Sequence, residues 1–399
     1  MSTSSFLSGS RFFGLLVLVA GFVSACSGES RSKATANTSD PSSTPVEFSV
    51  KTLNNGLNGP WGLSFLSDGR MLVSQKPGRL LLLKADGSFE QTISGVPAVV
   101  DSGQGGLLDV LTLQEGADTW VVLSYSEAGK GSEAGLAGTA VGRGKLQGAA
   151  LTEWQVIFRQ QPKVAGNIHF GSRLVLNKDG SLFISLGERG QDSTTSPNKE
   201  HSQNIAKTLG KVVRMRPDGS AAADNPAWPT GAAQHLYSIG HRNPQGAALH
   251  PDTGELWLVE HGPQGGDELN RVVAGGNYGW PLRSYGCPYG SPVGEACRIG
   301  GGTHAPDFIE PVATWVPTST APAGLMFYTG DKFPEWKGQA FIGALAGQSM
   351  WRIQLNEGRE VARVRMLDNL NERIRDVRQG PEGWIYLLTD SGKLLRLER

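Results

Sequence analysis

Asp68-Gly69-Arg70-Met71-Leu72-Val73, Asp179-Gly180-Ser181-Leu182-Phe183-Ile184-Ser185-Leu186, Asp252-Thr253-Gly254-Glu255-Leu256-Trp257-Leu258-Val259 and Glu382-Gly383-Trp384-Ile385-Tyr386-Leu387-Leu388 repeat one phrase. An acidic residue and a glycine make a tight turn, and a short run of apolar and β-branched residues follows. In two copies the next turn is also visible: Pro77-Gly78 leads into the leucines at 80–83, and Ser391-Gly392 leads into Leu394-Leu395. Weaker copies lie at 119–125 and 339–345. Six units over about 350 residues give a spacing of roughly 60, which fits propeller blades carrying inserted loops. No stretch of about 12 residues or more shows an apolar stripe of helical period. The expectation is an all-β protein, a six-bladed β-propeller spanning 47–399; a chain of β-sandwiches is opposed by the even recurrence of the phrase without a linker.

Composition agrees. The 54 glycines have no collagen period and fall beside turn residues, while 39% hydrophobic residues and ten tryptophans supply a large core. The 37 Lys+Arg balance 37 Asp+Glu, so no global basic field recommends nucleic acid as a partner.

Residues 1–25 read as a targeting segment, with Arg11 ahead of an apolar run at 12–23 too short to span a membrane. Val23-Ser24-Ala25-Cys26 resembles a bacterial lipobox, in which Cys26 is lipidated and becomes the N-terminus; cleavage of a plain secretory signal is the other reading. The Ser/Thr/Pro-rich segment 26–46 reads as a flexible tether. The expected location is the bacterial envelope, lipid-anchored at the outer membrane and facing the periplasm, with the lipid as the only membrane contact. With Cys26 assigned to lipid, Cys287 and Cys297 remain. In an exported chain a disulfide is the expected state for such a pair, with metal binding as the alternative.

In a propeller, loops from every blade meet at the channel mouth, so distant polar loops form one site. Asp101-Ser102-Gly103-Gln104-Gly105-Gly106 allows close main-chain approach to a ligand. Gly166-Asn167-Ile168-His169-Phe170-Gly171 holds a histidine suited to general-base work, or one merely hydrogen-bonded. Gly240-His241-Arg242-Asn243-Pro244-Gln245-Gly246 packs a fixed cation beside an amide, donors for an oxyanion or quinone oxygen. The carboxylates and loop carbonyls of Glu260-His261-Gly262-Pro263-Gln264-Gly265-Gly266-Asp267-Glu268 and Gly275-Gly276-Asn277-Tyr278-Gly279-Trp280-Pro281 suit calcium, without EF-hand spacing. In Glu372-Arg373-Ile374-Arg375-Asp376, strand alternation puts both arginines on one face, for a bound anion or a salt-bridge ladder.

Together, from Gly59-Pro60-Trp61-Gly62 to the C-terminus, these ordered motifs resemble the soluble quinoprotein sugar dehydrogenases, specifically the aldose sugar dehydrogenase branch of the soluble glucose dehydrogenases. The resemblance implies a six-bladed propeller that oxidises aldoses to lactones with pyrroloquinoline quinone (PQQ) and Ca²⁺. It implies that His169 is the base at the sugar C1 hydroxyl while hydride passes to the quinone C5, and that Arg242 is the cation beside the C5 oxygen. It further implies cofactor or substrate contacts from Gln104, Asn243, Arg373 and Arg375, and cofactor lining from Ser284, Tyr285, Gly286, Cys287, Pro288, Tyr289 and Ala344. Carbonyls of Gly262 and Pro263 are expected on one calcium, and Glu268 and Tyr278 on a second. The sugar's electrons go to an unknown acceptor, and a homodimer is left open.

Two features depart from the family. Ala346 stands where relatives commonly carry a lysine against the cofactor, and the loop around Cys287 and Cys297 is unlike theirs. A cofactor-free propeller binding glycan or protein and a calcium-dependent propeller lactonase are the competing functions. The first is favoured by Ala346 and opposed by His169 and the paired arginines. The second needs carboxylates converging on a central metal, where the motifs supply Arg and Gln.

Overall fold

The computed structural model describes residues 46–194 and 200–399, together with the main chain of Lys33–Ala34. The targeting segment and Cys26 lie outside them. Every regular element among the described residues is a strand or a short 3₁₀ turn. The strands form six antiparallel sheets, each in sequential up-and-down order. Blade 1 is Pro60–Phe65, Met71–Gln75, Arg79–Leu83 and Phe89–Ile93. Blade 2 is Leu107–Glu115, Asp118–Ala128, Ala137–Gln147 and Ala150–Arg159. Blade 3 is Gly171–Leu176, Leu182–Leu186, Lys211–Met215 and Leu236–Ile239. Blade 4 is Pro244–Leu249, Leu256–Glu260, Asp267–Val272 and Ala313–Trp315. Blade 5 is Pro322–Phe327, Ala340–Ala344, Ser349–Asn356 and Arg359–Met366. Blade 6 is Ile374–Gln379, Ile385–Thr389 and Leu394–Glu398, completed by Phe48–Asn54 from the other end of the chain.

The all-β, six-bladed propeller read from the sequence is therefore the observed fold. Each repeated phrase supplies the second strand of a different blade, the one buried on both faces and so the most continuously apolar. The closing strand was not foreseen. Phe48–Asn54 pairs with Leu394–Glu398 from Ser49 opposite Glu398 to Asn54 opposite Leu394, and Phe48 is buried against Trp336. Within the expected tether, Lys33–Ala34 pairs with Ser49 and Phe48 on its outer edge. Closing the ring with a strand from the opposite terminus removes a free sheet edge and ties both ends of the domain together.

The first strand of every blade faces the channel, and each touches the next around the ring, blade 6 returning to blade 1. Five blades send groups to a buried ion cluster at this level. Arg173 of blade 3 meets Asp109 of blade 2 at 3.2 Å and Asp376 of blade 6 at 3.0 Å, and Arg378 pairs with the same two carboxylates. Arg173 also donates to the carbonyls of Gln245 (2.6 Å) and Arg375 (3.0 Å) and lies 4.2 Å over the Trp61 ring. Main-chain N–H groups of Leu63 and Leu174 complete the acceptors on Asp376 and Asp109. Blade 5 joins sterically: Gly324 has φ of 64°, and a Cβ there would lie 2.7 Å from the Val377 nitrogen.

Replacing Asp109 by Ala leaves two guanidiniums short of a partner, that of Arg173 fully buried. Breaking a buried pair in this way costs about 3–5 kcal/mol, and the denaturant midpoint of Asp109→Ala is expected to fall accordingly. A midpoint equal to wild type would show that the blades do not depend on the cluster.

Candidate active site

Because strands alternate in direction, the loops that precede each first strand and the turns that join second to third strands open on one face. Gln104, His169, Arg242, Asn243 and Arg373 occupy the first kind of loop. Glu188, His261, Gly262, Ala344 and Asp390 occupy the second kind or the strand ends beside it. One channel mouth thus gathers the sequence-selected residues together with Glu188 and Asp390, which the sequence had not singled out.

His169 is 8% exposed and adopts a left-handed backbone (φ 54°) in the loop before blade 3. Its carbonyl is approached so closely by Gly187 that a Cβ there would lie 2.0 Å away, so this turn needs glycine. The His169 amide donates to the Gln104 side-chain oxygen at 2.7 Å. Its Nδ1 is hydrogen-bonded to Glu188 Oε1. Glu188 is buried, and its second oxygen accepts the Asp192 amide at 2.9 Å. A carboxylate on Nδ1 fixes the proton there and leaves Nε2 as the basic atom. Burial lowers the His169 pKa below its ordinary value, partly countered by Glu188 and reinforced by the nearby Arg242 charge. Burial would raise Glu188, but the histidine contact outweighs it and the carboxylate stays ionised. Glu188 was missed in the sequence. A carboxylate just past an apolar strand, in the turn opening on the same face, was the only signal.

Arg242 is 6% exposed, with the Trp280 ring 5.1 Å and the Tyr289 ring 5.9 Å from its guanidinium carbon. Its Nη1 donates to the carbonyls of Gly262 (2.6 Å) and His261 (3.1 Å), while its buried Nε has no partner. Asn243 is fully enclosed: its Oδ1 accepts from Gly171 and Gln245, and its amide nitrogen approaches His261 Nδ1 at 3.5 Å. Its side chain ties the loops of blades 3 and 4 together. His261 donates from Nε2 to the Pro322 carbonyl, and burial with the adjoining Arg242 pushes its pKa down to about 3, so it stays neutral. Arg373 and Arg375 both pair with Asp390, at 2.9 and 3.0 Å, and Arg375 also reaches Gln245 Oε1. The salt-bridge ladder exists, yet one carboxylate serves two guanidiniums and a positive charge is left over for an anion.

The loop holding Gly262 and Pro263 is stitched to the segment at 284–289. Gln264 and Cys287 exchange main-chain hydrogen bonds at 3.0 Å, and a Cβ on Gly266 would lie 2.1 Å from the Gly286 nitrogen. Cys287 and Cys297 form the expected disulfide. Ser284 is buried and caps the Gly286 amide. Tyr289 is 71% exposed beside Arg242, and Pro288 is exposed next to it. Tyr285 instead turns toward Glu310 and stacks on His304, away from Arg242. Ala344 is fully buried at its strand end, and Arg373 reaches the adjoining turn through the Leu345 carbonyl.

Glu268 and Glu260 face each other across adjacent strands in a dry site, joined by the Asn270 side-chain nitrogen at 3.1 Å from each. Burial, then the Glu260 charge, raises the Glu268 pKa well above its usual value. The buried Asn270 Oδ1 has no partner. Glu260 also meets His241 Nδ1 and the Arg242 amide, and Glu268 lies 3.4 Å from His304 Nε2; two carboxylates this close are oxygen donors of the kind a hard cation takes. The Tyr278 hydroxyl is committed to the Arg271 carbonyl and Val273 amide, so a metal would find only the main-chain oxygen of that residue. Among the described residues no three His, Cys, Asp or Glu side chains are grouped to hold a metal by themselves.

A buried His–Glu dyad beside an arginine cluster at a propeller mouth offers a basic nitrogen next to donors for an anionic group. Residues 57–396 match the model of the Glucose / Sorbosone dehydrogenase family, and the chain belongs to that family. It is an oxidoreductase. The chain is 42% identical over 362 residues to aldose sugar dehydrogenase YliI of Escherichia coli (strain K12), covering 88% of this chain and 93% of the relative. It resembles a crystal structure of a glucose dehydrogenase at 43% identity and a TM-score of 0.80, over 88% of this chain and 98% of that one. The PQQ-bound form of an aldose sugar dehydrogenase from Streptomyces coelicolor is similar at 30% identity and a TM-score of 0.70, over the same shares.

Since burial keeps the imidazole uncharged near neutrality, the acid limb of kcat/KM should lie below the ordinary histidine value of about 6.5. Glu188→Gln removes the group that raises the His169 pKa, so the limb should move to still lower pH while turnover falls. A limb that stays in place would mean that another group titrates.

Proposed function

We propose that the protein oxidises aldose sugars at C1 to lactones, using PQQ and calcium. The observation that carries this reading is the His169–Glu188 dyad set beside Arg242, whose buried Nε lacks a partner, in a chain of this family. The aldose sugar dehydrogenase of 42% identity and the PQQ-bound relative support the substrate class and the cofactor.

The residues present fit a tricarboxylated quinone. Arg373 and Arg375 offer the excess positive charge, Arg242 a partnerless donor, and exposed Gln104 and Tyr289 an amide and an aromatic rim. Calcium would be held by carbonyls of Gly262 and Pro263, and a second ion by Glu268 with the main chain of Tyr278. Bound here, the quinone with its calcium supplies an acceptor for the two electrons leaving C1 as hydride. The chain's own work is proton and charge management. His169 Nε2 accepts the C1 hydroxyl proton as the C1–H bond breaks, and Glu188 stabilises the resulting imidazolium through Nδ1. Arg242, fixed by two carbonyls and flanked by two rings, holds positive charge where negative charge develops. Asn243 and Gln104 keep the His169 loop in register.

General-base catalysis is typically worth about 10²–10⁴-fold, so His169→Ala should lose at least the lower factor in kcat while binding the quinone undiminished. Arg373→Ala should weaken quinone affinity instead. Ala346 is exposed on a turn whose Gly347 carbonyl already accepts Arg365 at 2.7 Å. Ala346→Lys should tighten quinone binding by about 10–100-fold if the pocket lacks that charge-assisted contact. Quinone titration followed by dye reduction tests all three. Wild-type turnover independent of added quinone and Ca²⁺ would overturn the mechanism.

The envelope location follows the Cys26 lipobox, and none of the helices among the described residues is long and apolar enough to cross a membrane. Cys26→Ser is expected to release the protein into a soluble fraction or to block its processing. A variant that matures and still sediments with membranes would refute the lipid anchor.

A further inference from the structure

The segment that follows Glu188 is fastened to the rest of the mouth by one side chain, that of Asp192. The Asp192 amide donates to Glu188 Oε2 at 2.9 Å, the bond that orients the dyad carboxylate. The Asp192 carboxylate accepts the His201 amide at 2.5 Å, the Ser202 amide at 3.0 Å and the Ser202 hydroxyl.

The turn it grips reaches the other half of the site. Ser202 is fully buried; its Oγ also lies 2.9 Å from the His241 carbonyl, and its own carbonyl accepts the Gly240 amide at 3.0 Å. Gln203, next in the chain, donates to the carbonyl of Trp280 at 2.7 Å, and the Trp280 ring flanks the Arg242 guanidinium. The Glu188 amide closes the circuit by donating to the Arg242 carbonyl at 2.9 Å. Little slack remains, since a Cβ on Gly210 would lie 2.1 Å from Ser202 Oγ and 2.3 Å from the His241 oxygen.

A charge is disfavoured at this position. Burial pushes the Asp192 pKa up to about 7, although Ser202 donates to the carboxylate. Lys211 interacts with it electrostatically, but burial pushes that ammonium down to about 7. The three Lys211 donors go to the carbonyls of His201, Ser202 and Leu209. Buried ions of this kind add little net stability, and what they supply is one defined arrangement.

We propose that Asp192 is a positioning residue for the proton transfer: its grip on the turn at 201–202 sets Glu188, and through it His169, in register with Arg242. It acts through Glu188, and the proposal rests on His169 serving as the base. Without the grip, the amide of residue 192 leaves Glu188, the carboxylate turns from Nδ1, and Nε2 is no longer held toward the substrate hydroxyl.

Asp192→Ala is expected to lower kcat by about 10- to 100-fold, the scale of a misplacement of about 1 Å, with aldose KM and quinone affinity unchanged. In a Glu188→Gln background the same substitution should bring no further loss, because two changes acting through one group are not additive. A merely structural anchor would give additive losses. The second readout needs no turnover. In the full-length protein before quinone is added, the His169 Nδ1–H proton, held downfield by its carboxylate partner, should move upfield in Asp192→Ala as it does in Glu188→Gln. Asp192→Asn keeps part of the acceptor and should lie between wild type and Asp192→Ala in both measurements, so the test survives if the alanine variant does not fold. Additive losses, wild-type kcat in both Asp192 variants, or an Nδ1–H signal that stays in place would each overturn the proposal. Full turnover in His169→Ala would instead overturn the functional reading, and is told apart because the Nδ1–H signal still reports on Asp192 without substrate.

Discussion

Five blades are tied to one buried cluster of four charges. Arg173 and Arg378 neutralise Asp109 and Asp376, and the remaining donors and acceptors are spent on main-chain groups from blades 1, 3, 4 and 6. Such a cluster adds little net stability compared with an apolar plug, because desolvating four ions offsets most of their attraction. What it supplies is geometry. Hydrogen-bonded ions admit far fewer arrangements than interdigitated leucines, so the six first strands are held at a defined height and rotation around the axis. The apolar clusters between neighbouring blades fill space, whereas the ions set registration.

The active-site mouth inherits that registration. Arg173 holds the carbonyls of Gln245 and Arg375, and these two residues touch each other through their side chains just above. Asp267 performs a similar task nearer the surface. It accepts from the Gly262 amide of blade 4 and from the Thr320 and Ala321 amides leading into blade 5, fixing the carbonyl that receives Arg242. Catalytic geometry needs tolerances of a fraction of an ångström, and here loop residues obtain it from buried carboxylates that bind main-chain N–H groups. The disulfide and the paired bonds between Gln264 and Cys287 extend the same support to a Gly- and Pro-rich segment that has no strand of its own.

Much of this was legible before any coordinates. The turn-and-strand phrase marked each blade, since a turn and its following strand are decided by residues adjacent in the chain. Leu182–Leu186 and Ile385–Thr389 are buried throughout and follow an acidic-Gly turn, so they read clearly, whereas Ala340–Ala344, equally buried, read weakly because no such turn residue pair precedes it. The longer blade 2 strand, Asp118–Ala128, is partly exposed at its ends and read weakly. Phe48–Asn54 was not placed, because its partner Leu394–Glu398 lies at the far end of the chain and no local pattern names it. His169 and Arg242 stood out as polar residues in Gly-rich turns ahead of apolar strands, and Arg373 and Arg375 by the alternation that puts both on one face of a strand.

The sequence by itself determined the strand units, the motif order that carries the family, and the pairing left to Cys287 and Cys297. Tertiary structure alone decided which groups complete each motif. Glu188 meets His169, Asp390 is shared by two arginines, the Gly262 carbonyl takes Arg242, and the Tyr278 hydroxyl is used by its own loop. Turn and strand preferences act between neighbours in the chain. Each of these contacts instead joins groups whose separation depends on how strands and blades are placed in space, and that placement exists only once the ring has closed.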